Sequence, residues 1–423
     1  MKLLRNLSIS ALVVAGALGT SVLALNAGGL TLYPFRQVVL LVLGIMPLIS
    51  YRIFWMRQSL PRFFVSLGYV WVVWGGFSVF WAPSVATAIT DVLAVAFGFG
   101  VGIALLALGA TKESAMPWLR RGWVTAFLVT GGVAVWEITT GNHLPSAFVE
   151  NMPDYALRTL AISTFGNPNN YGAFLALALP LLLLSYDSAT RPFWRALYGL
   201  MIPLLFVAVF LSASRSALLG VLLQMLLYVF VFGTMRRIVW AVIGAVGILV
   251  GAAYAGMSLE EFRLLAKLQG AFSDSALESG SLSIRLSLTL NGLWMIATSY
   301  GLGVGAGGYE QAVQDPQVPF GTGGLINPHN FWIEIASEYG LVVIGLFVIL
   351  MARFMVIALR AYRKRLDPWA QTLLLMGLGY LLATVANSTY VSQPANWMAI
   401  ATLMCGATYL KKKDDASGNA PPA

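Results

Sequence analysis

The sequence predicts an all-α integral membrane protein with about twelve transmembrane helices and a helical loop on its outer face. Three observations carry that expectation. Apolar residues make up 58% of the 423-residue chain and charged residues only 10%, with a mean hydropathy of +0.78, which lies outside the range of water-soluble domains. The apolar residues gather in stretches of about 16 to 22, long enough to cross roughly 30 Å of hydrocarbon at about 1.5 Å per residue. All but six of the twenty-six Lys and Arg residues fall in alternate loops between those stretches, the pattern that marks cytoplasmic loops.

Taken in order, spans are expected near residues 7–25, 32–50, 63–81, 89–110, 123–138, 171–186, 196–211, 216–233, 238–256, 331–352, 370–388 and 395–410. An even number puts both termini on one side, and Lys2, Arg5 and the run Lys411 to Lys413 mark that side as the cytoplasm. Residues 1–25 also have the pattern of a secretory signal, but the spans that follow favour a first membrane helix. The net charge of +9 belongs to topology-determining loops beside anionic lipid, so no nucleic-acid partner is expected. A single cysteine, Cys405, excludes a disulfide framework and a CxxC metal site.

Two loops on the outer side are long, near 139–170 and 257–330. The second reads as ordered. Ser258 opens a capping-type segment, SLEEFRLLAKLQGAF, and the stretch Ser283 to Ala297 carries Leu286, Leu290, Leu293 and Ile296 at helical spacing, with Arg285 off that stripe. Such a helix would lie over the bundle as a lid.

The six exceptional cations are Arg36, Arg158, Arg215, Arg263, Lys267 and Arg285. An outward-facing cation near the hydrocarbon boundary is costly unless it meets an anion. Arg215 sits in SASRSALLG, a tight connection between two spans, where its planar fork suits a phosphate; snorkelling to lipid headgroups is the blander role. Arg285 alone reads as an ordinary polar-face residue. His143 and His329 are the only histidines. His329 stands in NPHNFWIEIASEYG, ahead of Glu334 and Glu338; Pro328 disfavours helix at Asn327, so the helix starts around His329 or Asn330. That sets the imidazole at the membrane boundary, where it suits proton transfer near neutrality or merely caps the helix.

Other patterns carry less. Gly303, Gly305 and Gly308 spell GxGxxG without a βαβ unit and read as a tight loop. Asp274, Glu278, Glu310 and Asp315 are too irregularly spaced for a metal site and read as solvated loop charges. Asp91 and Glu137, at outer span ends, would equally suit the ion pathway of a transporter.

Four pieces in order carry a family resemblance: GNPNNYGAFLALALPLLL (Gly166 to Leu184), SASRSALLG (Ser212 to Gly220), SIRLSL followed by GLGVGAGGYE, and NPHNFWIEIASEYGLVVIGLF (Asn327 to Phe347). Over roughly residues 160–350 the chain resembles the O-antigen ligase and polymerase superfamily. The resemblance implies a C-type glycosyltransferase-like fold in the bacterial plasma membrane. It divides the chain into N-terminal membrane helices at 1–160 and a ligase-like membrane domain at 161–410 with the outer loop 257–330, while the composition of residues 411–423 predicts a disordered cytoplasmic tail. It implies transfer of a glycan from undecaprenyl diphosphate to an acceptor sugar, with membrane lipid around it and neither cofactor nor metal. Residue by residue, the family's two lipid-diphosphate arginines match Arg215 and Arg285, and its essential outer-loop histidine matches His329. Asn167, Asn169, Asn330, Glu334 and Trp294 are expected to support substrate, and Trp294, Phe331 and Trp332 either to stack on sugar or isoprenoid or to anchor the chain at the membrane interface. The doubled Asn169-Asn170 departs from the family's pattern.

The rival expectation is a polytopic transporter or flippase for a lipid-linked glycan or a small solute, for which Gly98, Gly100 and Gly102 would mark a flexible span. Transport predicts polar groups at mid-membrane, whereas these spans are nearly free of charge in their middles. A non-catalytic assembly scaffold is the third reading.

Overall fold

Prolines and small polar residues set where many of the helices begin. The computed structural model describes residues 2–19, 22–23, 25–27, 30–49, 58–153, 157–232, 281–385 and 390–418. Helix α1 spans Lys2–Ala17 and α2 Pro34–Ile49; between them lies a small antiparallel hairpin, β1 (Leu25–Ala27) with β2 (Leu30–Leu32), pairing Leu25 with Leu32. Helix α3 is Ser59–Ser78, and α4, Val85–Ala107, is capped by the Ser84 side chain. Helix α5, Met116–Thr140, closes on Gly141 at φ 71°, a left-handed cap that glycine adopts without strain. After the short α6 (Ala147–Glu150) come α7 (Pro168–Ser188) and α8 (Pro192–Leu211), each with proline in its first turn. Helix α9, Arg215–Leu226, runs into a π turn at Leu227–Val231. Then follow α10 (Ser281–Thr298), α11 (Tyr309–Ala312), α12 (Phe331–Arg363), α13 (Trp369–Thr384) and α14 (Pro394–Gly418).

The protein is a polytopic, all-α membrane protein apart from the hairpin. Six helices, α3, α4, α5, α7, α8 and α12, are long and apolar enough for a full crossing, and α1, α2, α9 and α13 carry shorter apolar runs. The described residues therefore do not establish twelve crossings, and the expected span at 238–256 lies outside them.

Two faces follow from the contacts. Lys412 donates to Thr111, Lys413 pairs with Asp367 at 2.7 Å and Lys364 with Asp414 at 2.5 Å, so the α4–α5 and α12–α13 connections share a basic face with the end of α14. The positive-inside rule reads that face as cytoplasmic. On the opposite face, the end of α3 meets the 301–308 loop, the α8–α9 turn meets the start of α7, and Trp332 Nε1 donates to Thr384 at 3.1 Å.

Lipid tails are as apolar as leucine, so helices in a membrane associate by close packing rather than by leaving water. Glycines supply it here. A Cβ on Gly98 would lie 2.0 Å from the Trp397 ring, and one on Gly102 2.5 Å from Phe64. Gly98 and Gly102 thus seat rings between helices and do not mark a flexible span; Gly100 packs on Val39. Around Trp71, with centroid separations of 5.5 to 5.8 Å, gather Phe99, Tyr339, Phe347 and Trp397. That cluster joins α3 and α4 to α12 and α14, so residue 160 is no boundary in the packing. Helix α7 lies at the centre, 83% buried across its apolar window, whereas α8 is peripheral at 22%.

Two further expectations are corrected. The tail expected to be disordered from residue 411 is helical to Gly418, because the Lys364–Asp414, Lys413–Asp367 and Lys411–Asp415 pairs extend α14. On α10 the expected stripe is turned largely outward: Leu286 and Leu293 are exposed and Leu290 and Ile296 only half-buried, while Leu288, Asn291 and Met295 are buried. In a membrane protein an apolar stripe is as readily satisfied by lipid as by a core.

Candidate functional site

The site is assembled on the face opposite the basic one, from three places distant in sequence. The first is the start of α7. Gly166, at φ 65°, ends a 3-10 turn, Asn167 caps the helix by accepting from Asn169 N at 2.8 Å, and Pro168 fills the first turn. One turn on, Gly172 lets the α8–α9 connection approach: a Cβ there would lie 2.8 Å from Ser214 Cβ and 2.9 Å from Ala217 Cβ. That connection carries Arg215, and Ala213 within it has φ +51°. The segment 157–162 packs over it, Ala161 N donating to Leu211 O at 2.9 Å and Leu160 and Ile162 meeting Ala213. Behind that segment Glu137 Oε2 accepts from Ile162 N and Ser163 N at 2.9 and 2.7 Å, and His143 Nε2 lies 2.9 Å from Leu160 O. Glu137 and His143 are thereby committed to holding the loop.

The second part is α10 with the glycine loop. Asn291 is fully buried and holds the backbone of Phe320 from both sides, donating to its O at 2.8 Å and accepting from its N at 3.1 Å. Tyr309 OH donates to Leu288 O, and Tyr309 N donates to Glu338 Oε1 at 3.2 Å. Through Tyr309, α10 is fastened to α12. Gly301, Gly303, Gly305 and Gly307 all have positive φ, the tight loop expected of these glycines. They fit a break in α12 at Gly340, φ 80° and ψ 178°. Val304 N donates to Ser337 O at 2.8 Å, Gly305 N to Glu338 O at 3.1 Å and Leu341 N to Gly301 O at 2.9 Å, satisfying the backbone groups that the break exposes.

The third part is Asn327 to Asn330. Asn327 Nδ2 donates to Glu310 Oε1, Pro328 is buried, and Asn330 caps α12 by accepting from Trp332 N at 3.1 Å and Ile333 N at 3.4 Å. Between them His329 is held at φ +48°, a left-handed conformation uncommon outside glycine that persists only where surroundings impose it. Its Nδ1 is enclosed with no hydrogen-bond partner among the described residues.

These parts converge. Burial and the charge of Arg215 both push the Arg285 guanidinium below its ordinary pKa. Burial and the charge of Arg285 pull His329 down to about 4. Two cations within electrostatic reach of each other, one of them also within reach of a neutral imidazole, form an arrangement that a multiply charged anion would relieve.

The remaining expected residues fare unevenly. Asn167 and Asn330 spend their side-chain oxygens on helix caps, Asn169 is half-buried, and Glu334 is only 3% exposed. Trp294 is half-buried against the Leu288, Met295 and Tyr309 cluster. Phe331 is fully buried, edge-on to Phe347 and Tyr380, so it is a core residue and not a stacking platform; Trp332 is committed to Thr384. Of the other exceptional cations, Arg36 is buried, donates to Thr31 O at 2.9 Å and lies 4.9 Å from the Tyr33 ring centroid. Arg158 is exposed, and Arg263, Lys267 and the Ser258 segment lie outside the described residues, as do Asp274 and Glu278. Glu310 is bonded to Asn327 and Asp315 accepts from Gln317 N at 2.8 Å. Sequence reasoning assigned no role to Gly172, Tyr309, Asn291 or Asn170. The last is buried, with Oδ1 lacking a partner among the described residues; it stood in the sequence only as a doubled Asn.

Fold and site define a multi-pass membrane protein that gathers two arginines and a neutral histidine on one face. Residues 199–348 match the family model described as O-antigen ligase. The chain is also similar to the teichuronic acid biosynthesis protein TuaE of Bacillus subtilis (strain 168), at 22% identity over 81% of this chain and 71% of the relative. Both likenesses support the resemblance to the O-antigen ligase and polymerase superfamily.

Proposed function

We propose that this protein transfers a glycan from an undecaprenyl diphosphate carrier to an acceptor sugar hydroxyl at the outer face of the bacterial plasma membrane, in surface-polysaccharide synthesis. The observation that carries this reading is the meeting of Arg215, Arg285 and His329, from three separate segments, on the face opposite the basic loops. The acceptor oxygen attacks the anomeric carbon, the bond from that carbon to the diphosphate oxygen breaks, and the electron pair leaves with the diphosphate. Arg215 and Arg285 take up the charge growing on the leaving group, worth about 3 kcal/mol for a well-aimed donor. His329 is neutral at pH 7 with its pKa near 4. Its enclosed Nδ1 leaves Nε2 to accept the acceptor's proton. A single displacement of this kind inverts the anomeric centre.

The relative's name supports a cell-envelope polysaccharide as the product class. Whether the acceptor is the growing chain or a separate molecule decides between polymerase and ligase, and both use the same chemistry. The test is a deletion of the gene in its host, complemented by wild type or by His329→Ala, Arg215→Ala or Arg285→Ala at matched expression. Carrier-linked units accumulating on the outer face, with loss of long or attached glycan, are expected for all three. Accumulation on the inner face would point instead to a transporter or flippase.

A further inference from the structure

On the basic face, away from the candidate site, α12 and α14 enclose a groove of about 370 Å³, within the size range of small-ligand sites. Arg353, Val356, Ile357 and Arg360 line it from α12 at helical spacing, with Ile349 a turn deeper, and Lys411 closes it from α14. The deep end is apolar and open to the side: Ile349 is 50% and Val356 44% exposed. The two arginines have little to neutralise them. Arg353 lies 5.0 Å from the Phe63 ring centroid and 3.5 Å from Ser59 Oγ, neither of them an anion. Arg360 makes no ion pair with any described residue. Lys411 is paired with Asp415 at 3.2 Å, and the carboxylate on the rim, Asp414, is already paired with Lys364 at 2.5 Å. An apolar cleft two helical turns long, ending in two arginines without matching anions at the level of the membrane surface, has the charge and shape of one kind of occupant.

We infer that this groove is a binding site for an anionic phospholipid of the cytoplasmic leaflet. An acyl chain runs along Ile349 and Val356, and the phosphate sits among Arg353, Arg360 and Lys411. A zwitterionic lipid offers the same chain but carries its own cation, so it gains less from three positive side chains. Occupation would also brace α12 against α14. Helix α12, which lines the groove, begins just after His329, although the inference does not depend on the reaction proposed above.

The test is photo-crosslinking of purified full-length protein in nanodiscs, comparing diazirine-bearing phosphatidylglycerol with the matching phosphatidylcholine and mapping labelled peptides by mass spectrometry. Labelling within residues 349–360 and at Leu410 or Lys411 should be several-fold stronger with phosphatidylglycerol. It should fall to the phosphatidylcholine level in the double variant Arg353→Gln/Arg360→Gln while labelling elsewhere is unchanged. Equal labelling by the two lipids in the wild type would overturn the inference and make the groove ordinary lipid-facing surface, a comparison that needs no variant to fold. Displacement of the label by polyprenyl phosphate but not by excess phosphatidylglycerol would overturn it in favour of a carrier-lipid site.

Discussion

In the proposed transfer, His329 is the residue on which the chemistry turns, and its surroundings change what its type alone suggests. An ordinary histidine titrates near 6.5; burial and the Arg285 charge hold this one near 4. If the neutral form is the base, as proposed, activity is retained above the folded-state pKa and lost below it. The acid limb of kcat/KM, which reports the free enzyme, should therefore fall well below pH 6. In Arg285→Lys the positive charge stays and the limb should remain low. In Arg285→Ala one cause of the depression is gone, and the limb should move up towards 6.5 while the rate falls about 100-fold from the lost donor. Both effects are read from pH–rate profiles in proteoliposomes. Arg215 and His329 stood out in the sequence as a cation on the wrong side and a histidine at a helix mouth, whereas Arg285 alone read as an ordinary polar-face residue and entered only through the family resemblance. What was not legible is that Asn330 is consumed by capping and Phe331 by the core. A polar or aromatic residue beside a site has the same letter whether it points at substrate or at its own helix.

At the scale of the element, close backbone approaches position the site. Gly303 has φ +88°, and a Cβ there would lie 2.4 Å from the Glu338 carbonyl oxygen. Gly303→Ala should destabilise the protein by about 1–3 kcal/mol and lower activity, measured by thermal unfolding in detergent beside the transfer assay. Gly172→Leu should act differently, forcing the Ser212 to Ala217 turn away from α7 and weakening donor binding, read as a raised KM for the lipid-linked substrate. The glycine loop was legible as a loop because five glycines in the eight residues Gly301 to Gly308 resist any other fate. The break in α12 was not, because Gly340 in a run of apolar residues reads as a tolerated helix glycine. The outward-facing stripe on α10 escaped for a different reason: periodicity identifies an apolar face, and only the fold decides whether that face meets lipid or protein.

At the scale of the whole molecule, charge asymmetry between loops and the close packing of small residues within the bundle are separate constraints. The first was plain from the sequence; the second depends on partners such as Gly98 with Trp397, some three hundred residues apart, and so was not. The orientation can be checked in a Cys405→Ser background, since Cys405 is fully buried within α14. A thiol placed at Thr322 should react with an impermeant maleimide from outside intact cells, and one at Arg365 only after permeabilisation. The proposed transfer requires that three distant segments build one site. Its most direct test is a double-mutant cycle on the purified, reconstituted protein, following glycan joined and undecaprenyl diphosphate released from a defined lipid-linked donor. His329→Ala, Arg285→Ala and their combination should each lose most of the rate, with the double variant far less impaired than the product of the singles would give. Singles whose losses multiply, or a His329→Ala protein that transfers at the wild-type rate, would contradict it.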